Sequence, residues 1–219
     1  MQDKMASEKK VTYTAQNTYS ILNEFGPKTK NIWLVFHGMG YLSRYFIRYF
    51  KELDAEENYI IAPQAQSKYY QGADYTHVGS SWLTKENTKA ETINVLAYVD
   101  AVWKAAKPTT LPRLIILGYS QGVSIATRWM ASREIQCDEL VLHSGGIPKE
   151  LEPQDFDYLL KKTNVTYLYG NEDQYITESR KTEESLKGNK LFGDRLKIVV
   201  FKGIHEVHIP FLHKLVGKY

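Results

Sequence analysis

The chain has 219 residues, with 28 Lys+Arg against 25 Asp+Glu and a net charge of +3. That length predicts one domain with a sizeable core, or at most two very small ones. A charge balance this mild, with no Lys/Arg-rich run, excludes the basic footprint of a nucleic-acid surface, and the composition excludes collagenous, coiled-coil and disordered readings.

Met1 to Val11 is polar and charged and lacks an apolar h-region, so no secretory signal is read there. Residues 1–10 are expected to form a flexible terminus of a single domain spanning 1–219. Val11, Tyr13 and Ala15 alternate with polar residues, and Tyr19 and Ile21 do so again beyond Gln16-Asn17. This predicts an N-terminal antiparallel strand pair with a turn between. Ile32-Trp33-Leu34-Val35-Phe36 is a continuous apolar run ending in His37-Gly38, the pattern of a strand buried on both faces. Tyr41 to Leu53 reads as an aromatic-rich helix, and Tyr59 to Ala62 as a short strand before Pro63. Gln64 to Ser81 has no clear period and reads as a long surface loop.

Lys89 to Lys107 carries a broad apolar stripe and ends at Pro108, which predicts a helix. Leu111 to Leu117 is a second apolar strand, and Ser120 to Arg133 a helix. A strand follows at Glu139 to His143, a helix at Gln154 to Lys162, and a strand at Val165 to Tyr169. The remainder reads as a helix at Thr177 to Lys187, a strand at Leu196 to Phe201 and a helix at Val207 to Val216. Strands alternating with helices predict a mostly parallel sheet with helices on both faces. Such sheets place ligands beyond the carboxyl ends of their strands. The one cysteine, Cys137, excludes an intramolecular disulfide and a cysteine-rich zinc site. No stretch approaches the roughly 18 apolar residues of a membrane span. The expected setting is cytoplasmic.

Gly118-Tyr119-Ser120-Gln121-Gly122 follows the apolar strand directly and opens a helical pattern. This is G-x-S-x-G in a strand–turn–helix setting, where the serine is presented on a tight, strained turn. The alternative is a plain tight turn with an incidental serine. Ser120 would sit at a helix N-terminus, whose amides favour developing negative charge. A serine hydroxyl needs a base, and the base an acid to orient it. In this arrangement the acid and then the histidine follow along the chain. Asp173, in the loop after the strand ending at Tyr169, is the candidate acid, with Glu172 as its rival. His205, beyond the strand ending at Phe201, is the candidate base, with His208 as its rival. His37 is read as bracing a turn. His77, His143 and His213 have no special claim, although His143 ends a strand and could lie near the site. Acyl transfer also needs donors aimed at the oxyanion. The candidates are the backbone N–H groups of Gln121 and of Met39, in His37-Gly38-Met39-Gly40.

These motifs resemble those of the α/β-hydrolase superfamily. Within it, the chain resembles the small phospholipase/carboxylesterase group, which includes acyl-protein thioesterases. The resemblance spans about Ile32 to Leu212. It rests on Leu34 to Gly40, Ala62-Pro63, Gly118 to Gly122, Gly170 with Asp173, and Gly203 with His205. It implies a Ser120–Asp173–His205 triad and hydrolysis of esters or thioesters.

Aromatic residues reach 13%, with 16 Tyr. Tyr41, Tyr45, Tyr69, Tyr70, Tyr75 and Trp82 fall in or beside two loops expected near Ser120, as candidate walls of an apolar cleft or as ordinary core and surface residues. No cofactor and no metal is expected. The expected partner is a small-molecule ester or thioester, and either a monomer or a homodimer is open. Acyl transfer to an acceptor other than water, or ligand binding without catalysis, are the alternative functions. The gap between His143 and Val165 is short, so no separate lid domain is expected.

Overall fold

The computed structural model describes residues 7–217. Its framework is a seven-stranded sheet, and the two-sided burial of its inner strands explains their continuous apolar runs. The strands of this sheet, in chain order, are β1 (Tyr19–Leu22), β2 (Asn31–Phe36), β3 (Asn58–Pro63), β6 (Leu114–Tyr119), β7 (Glu139–His143), β8 (Asn164–Gly170) and β9 (Leu196–Phe201). Two further strands, β4 (Ser67–Gln71) and β5 (His77–Ser81), pair with each other in a separate two-stranded sheet. The order across the large sheet is β1-β3-β2-β6-β7-β8-β9. Within this sheet, among the described residues, only the β1–β3 pair is antiparallel.

The helices are α1 (Ser43–Phe46), α2 (Thr88–Ala106), α3 (Gln121–Arg133), α4 (Glu178–Phe192) and α5 (Ile209–Leu215). Side chains alternate across a strand, and the core divides accordingly. Ile32, Leu34 and Phe36 of β2 join Leu114 and Ile116 of β6 in one layer, beneath Val95, Val99, Val123, Trp129 and Leu191 of α2, α3 and α4. Trp33, Val35, Ile115 and Leu117 face the other way, onto Phe46, Phe50 and Leu212. This is the α/β-hydrolase fold, mostly parallel, with helices on both faces. Among the described residues, no lid domain is inserted between β7 and β8.

Four expectations are corrected. The N-terminal antiparallel strand forms at Tyr19–Leu22, but its partner is β3 and not Val11 to Ala15, since residues 7–18 contain no strand. Gln64 to Ser81 is not an irregular loop but contains the β4–β5 hairpin. The helix expected over Tyr41 to Leu53 is one short turn, α1, followed by a 3-10 turn at Ile47–Phe50. That turn lets Phe46 and Phe50 both drop onto the sheet. The helix expected at Gln154 to Lys162 is only a 3-10 turn at Pro153–Phe156, opened by a Glu152/Asp155 capping box. It buries Phe156, and Leu159 is buried just beyond it.

Candidate active site

Ser120 lies between β6 and α3, with φ 52° and ψ −119°. L-residues rarely adopt that backbone, and holding it takes strong surroundings. The surroundings are visible. Ser120 N–H donates to His143 O at 2.8 Å, and Val123 N–H donates to Ser120 O at 3.1 Å. The turn is so tight that a Cβ on Gly122 would lie 2.1 Å from Phe36 O, and one on Gly118 would lie 2.5 Å from Val123 Cα. Only glycine fits at either flank.

Asp173 lies in the turn after β8, and its side chain is buried. One carboxylate oxygen accepts the Tyr175 N–H at 2.9 Å. The other meets His205 Nδ1 at 2.8 Å, and His205 Nε2 lies 3.0 Å from Ser120 Oγ. A carboxylate accepts, so Nδ1 carries the proton and Nε2 is left to accept from the serine hydroxyl. The loops holding the acid and the histidine are stitched together. Asn171 N–H donates to Phe201 O, Glu172 N–H to Gly203 O, and Gly203 N–H to the Asn171 side chain. Glu172 is exposed, and His208 sits at the N-cap of α5. The structure thus brings together Ser120, Asp173 and His205 rather than either rival.

The loop after β2 folds back over the same strand ends. His37 is buried. Its Nε2 accepts the Ala65 N–H at 3.1 Å, so Nδ1 donates to Gly38 O at 2.8 Å. Burial pushes its pKa down to about 4. A Cβ on Gly38 would lie 3.1 Å from Ser120 Cβ, which puts this loop against the serine. Among the described residues, the backbone N–H groups of Met39 and Gln121 have no hydrogen-bond acceptor. The Gln121 side chain is occupied elsewhere: it donates to Leu83 O and Ser81 Oγ and accepts from Trp82 N–H.

The aromatic residues divide. Trp82 is not a cleft wall. It is 1% exposed, packs on Phe36 and His37, and donates its indole N–H to His37 O at 2.8 Å. A continuous buried position beneath the strand end suits its large apolar ring. Tyr41 is packed edge-on to Tyr119 and bonded to the Tyr49 hydroxyl. Tyr69 reaches the loop after β2, its hydroxyl 3.9 Å from where a Gly40 Cβ would be. Tyr70 and Tyr75 pack on each other at the hairpin end. Tyr45 stands exposed between the guanidinium groups of Arg44 and Arg48.

Two neighbours of the histidine carry no sequence motif. Tyr175 is exposed, and its ring meets the His205 imidazole edge-on at 4.7 Å. Tyr119, whose ring packs on His205, donates its hydroxyl to His205 O at 3.0 Å. The G-x-S-x-G pattern places Tyr119 beside the serine but does not reveal this contact. Among the described residues, no group of three or more His, Cys, Asp or Glu is arranged to hold a metal ion, and no helix is long and apolar enough to cross a membrane.

The fold has many solved counterparts. The structure resembles an acyl-protein thioesterase 2 from Zea mays at 13% identity and TM-score 0.66, covering 91% of this chain and 96% of that one. A phospholipase/carboxylesterase from Dyadobacter fermentans is similar at 20% identity and TM-score 0.67, covering 94% and 98%. A Bacillus cereus carboxylesterase is similar at 15% identity and TM-score 0.63, covering 90% of each chain. No curated protein matches in sequence. A model of the phospholipase/carboxylesterase family, however, matches residues 17–215. The match runs from the start of β1 to the end of α5, and the chain therefore belongs to the phospholipase/carboxylesterase family of hydrolases.

Proposed function

We propose that this chain is a serine hydrolase that cleaves carboxylic ester or thioester bonds of small molecules through an acyl-enzyme. The observation that carries the reading is the hydrogen-bonded chain from Ser120 Oγ through His205 to Asp173, at 3.0 and 2.8 Å. Thioesters are included because the maize neighbour is an acyl-protein thioesterase.

In the first step Ser120 Oγ attacks the carbonyl carbon while His205 Nε2 takes its proton. Asp173 holds the Nδ1–H tautomer and stabilises the imidazolium. The amides of Met39 and Gln121 receive the negative oxygen of the tetrahedral intermediate. As that intermediate collapses, the bond to the leaving alcohol or thiol breaks, and His205 returns the proton to it. Water then repeats the sequence on the acyl-serine and releases the acid. Tyr41, Tyr69 and Tyr175 border this centre and supply apolar faces with hydroxyl tips for the substrate. Tyr45, Tyr70 and Tyr75 form a more distant rim. The reading needs one domain and no cofactor, and the proposed setting is cytoplasmic.

The test is a panel of p-nitrophenyl esters and acyl thioesters of varied chain length. Ser120→Ala should lower kcat by at least about 10³-fold on every substrate the wild type cleaves. Labelling by a fluorophosphonate probe should vanish in the same variant. Unchanged esterase activity in Ser120→Ala would sink the proposal.

A further inference from the structure

His143 ends β7 and is completely buried, yet nothing in the proposed reaction uses its side chain. Its partners are informative. His143 pairs in register with Tyr119, the residue just before the nucleophile. Its carbonyl oxygen accepts the Ser120 N–H at 2.8 Å. Its imidazole Nε2 accepts the His208 N–H at 3.0 Å, from the far end of the loop that carries His205. A backbone N–H can only donate, so Nε2 is bare and Nδ1 carries the proton, directed to Ser144 Oγ at 3.1 Å. One residue therefore grips the nucleophile through its backbone and the base's loop through its ring.

Tyr119 provides a second grip. Its hydroxyl holds His205 O while its ring packs against both His205 and His143. Phe201 closes the group, edge-on to His143 and stacked on His208 at 4.2 Å. The loop from Lys202 to His208 is thus fixed from beneath at two backbone points. Both holders stand on the paired ends of β6 and β7.

From this geometry we infer that His143 is a positioning residue for the proposed hydrolysis: its neutral imidazole fixes the His205 loop at the distance at which Nε2 meets Ser120. The inference rests on the serine-hydrolase reading. Reaction rates are sensitive to placement, and a shift of about 1 Å can cost about 10²-fold. His143 is completely buried and cannot itself touch a substrate, so the effect should fall on kcat and not on KM.

The test compares His143→Leu, His143→Gln and His143→Asn with Ser120→Ala on a p-nitrophenyl ester, with folding followed by circular dichroism. Leu fills the space but leaves the His208 N–H unpaired. Its kcat should fall roughly 10- to 100-fold with KM within about twofold. Gln can put an oxygen where Nε2 lies and should stay within about threefold of wild type. Asn offers its oxygen nearer the Nδ1 position and should be clearly slower than Gln. A folded Leu variant with wild-type kcat overturns the inference. If Leu does not fold, Asn as active as Gln overturns it. Activity retained in Ser120→Ala would remove the serine reading and this inference with it. An inactive Ser120→Ala beside a fully active His143→Leu would remove this inference alone.

Discussion

Ser120 occupies a backbone conformation that costs an L-residue on the order of 1–3 kcal/mol. The cost is borne because the turn is clamped on all sides: by the His143 carbonyl, by Val123, and by glycines that let β2 and α3 close in. Two substitutions separate backbone strain from side-chain chemistry. Both Ser120→Ala and Ser120→Gly remove the hydroxyl. Alanine keeps the strain and glycine relieves it. Ser120→Gly should therefore exceed Ser120→Ala in stability by about 1 kcal/mol in urea unfolding. Equal stability would mean that the turn is not strained. At this scale the positions of Ser120, Asp173 and His205 were readable because each follows a strand end marked by glycine. The grips on His205 were not. Tyr119 and Tyr175 meet it, and His143 meets its loop at the His208 N–H, all across long stretches of chain, and no local pattern encodes such contacts.

The β4–β5 hairpin is the element that local pattern concealed. Ser67–Gln71 is exposed along its whole length, so it shows no alternation of apolar and polar residues. The long helix α2 and the buried strands β2 and β6 were readable for the opposite reason: one-sided burial gives α2 an apolar stripe, and two-sided burial gives β2 and β6 continuous apolar runs. The turn chemistry at Gly72 to Thr76 was the one signal for the hairpin, with Asp74 accepting from the Thr76 hydroxyl and backbone. Three hydrogen bonds join the hairpin to the loop of Met39. Gly40 N–H donates to Ser80 O at 2.8 Å, the Gln71 amide to Gly40 O at 2.9 Å, and the Ser80 hydroxyl to Tyr41 O at 2.6 Å. In the proposed mechanism the hairpin, by holding Gly40 and Tyr41, fixes the direction of the Met39 amide. Gln71 is exposed enough to be replaced without harm to the core. Gln71→Ala should lower kcat roughly 3- to 10-fold, less than outright loss of an oxyanion donor, with the melting temperature nearly unchanged. A variant whose loss appears only in KM would instead assign Gln71 to substrate contact.

Across the whole molecule, the carboxyl ends of β2 and β7 are each held by a buried, neutral imidazole. Burial pushes the pKa of His37 down to about 4 and that of His143 down to about 3, and lowers that of His208 as well. In the unfolded chain these groups titrate near 6.5. Between the folded and unfolded values the unfolded chain binds more protons, so stability is present above about pH 6.5 and is lost as pH falls. The loss amounts to about 1 kcal/mol per pH unit for each fully buried histidine. Glu184 opposes it, because burial raises its pKa and its protonation favours the folded state as pH falls. The window from pH 7 to 5.5 spans the unfolded-chain titration of the histidines. The urea midpoint should fall across that window in the wild type, and His143→Gln should show a smaller fall because one of the buried imidazoles is gone. A midpoint that does not move between pH 7 and 5.5 would mean that these imidazoles find protons without unfolding. Their role in pinning the strand ends around Ser120 would then have to be abandoned.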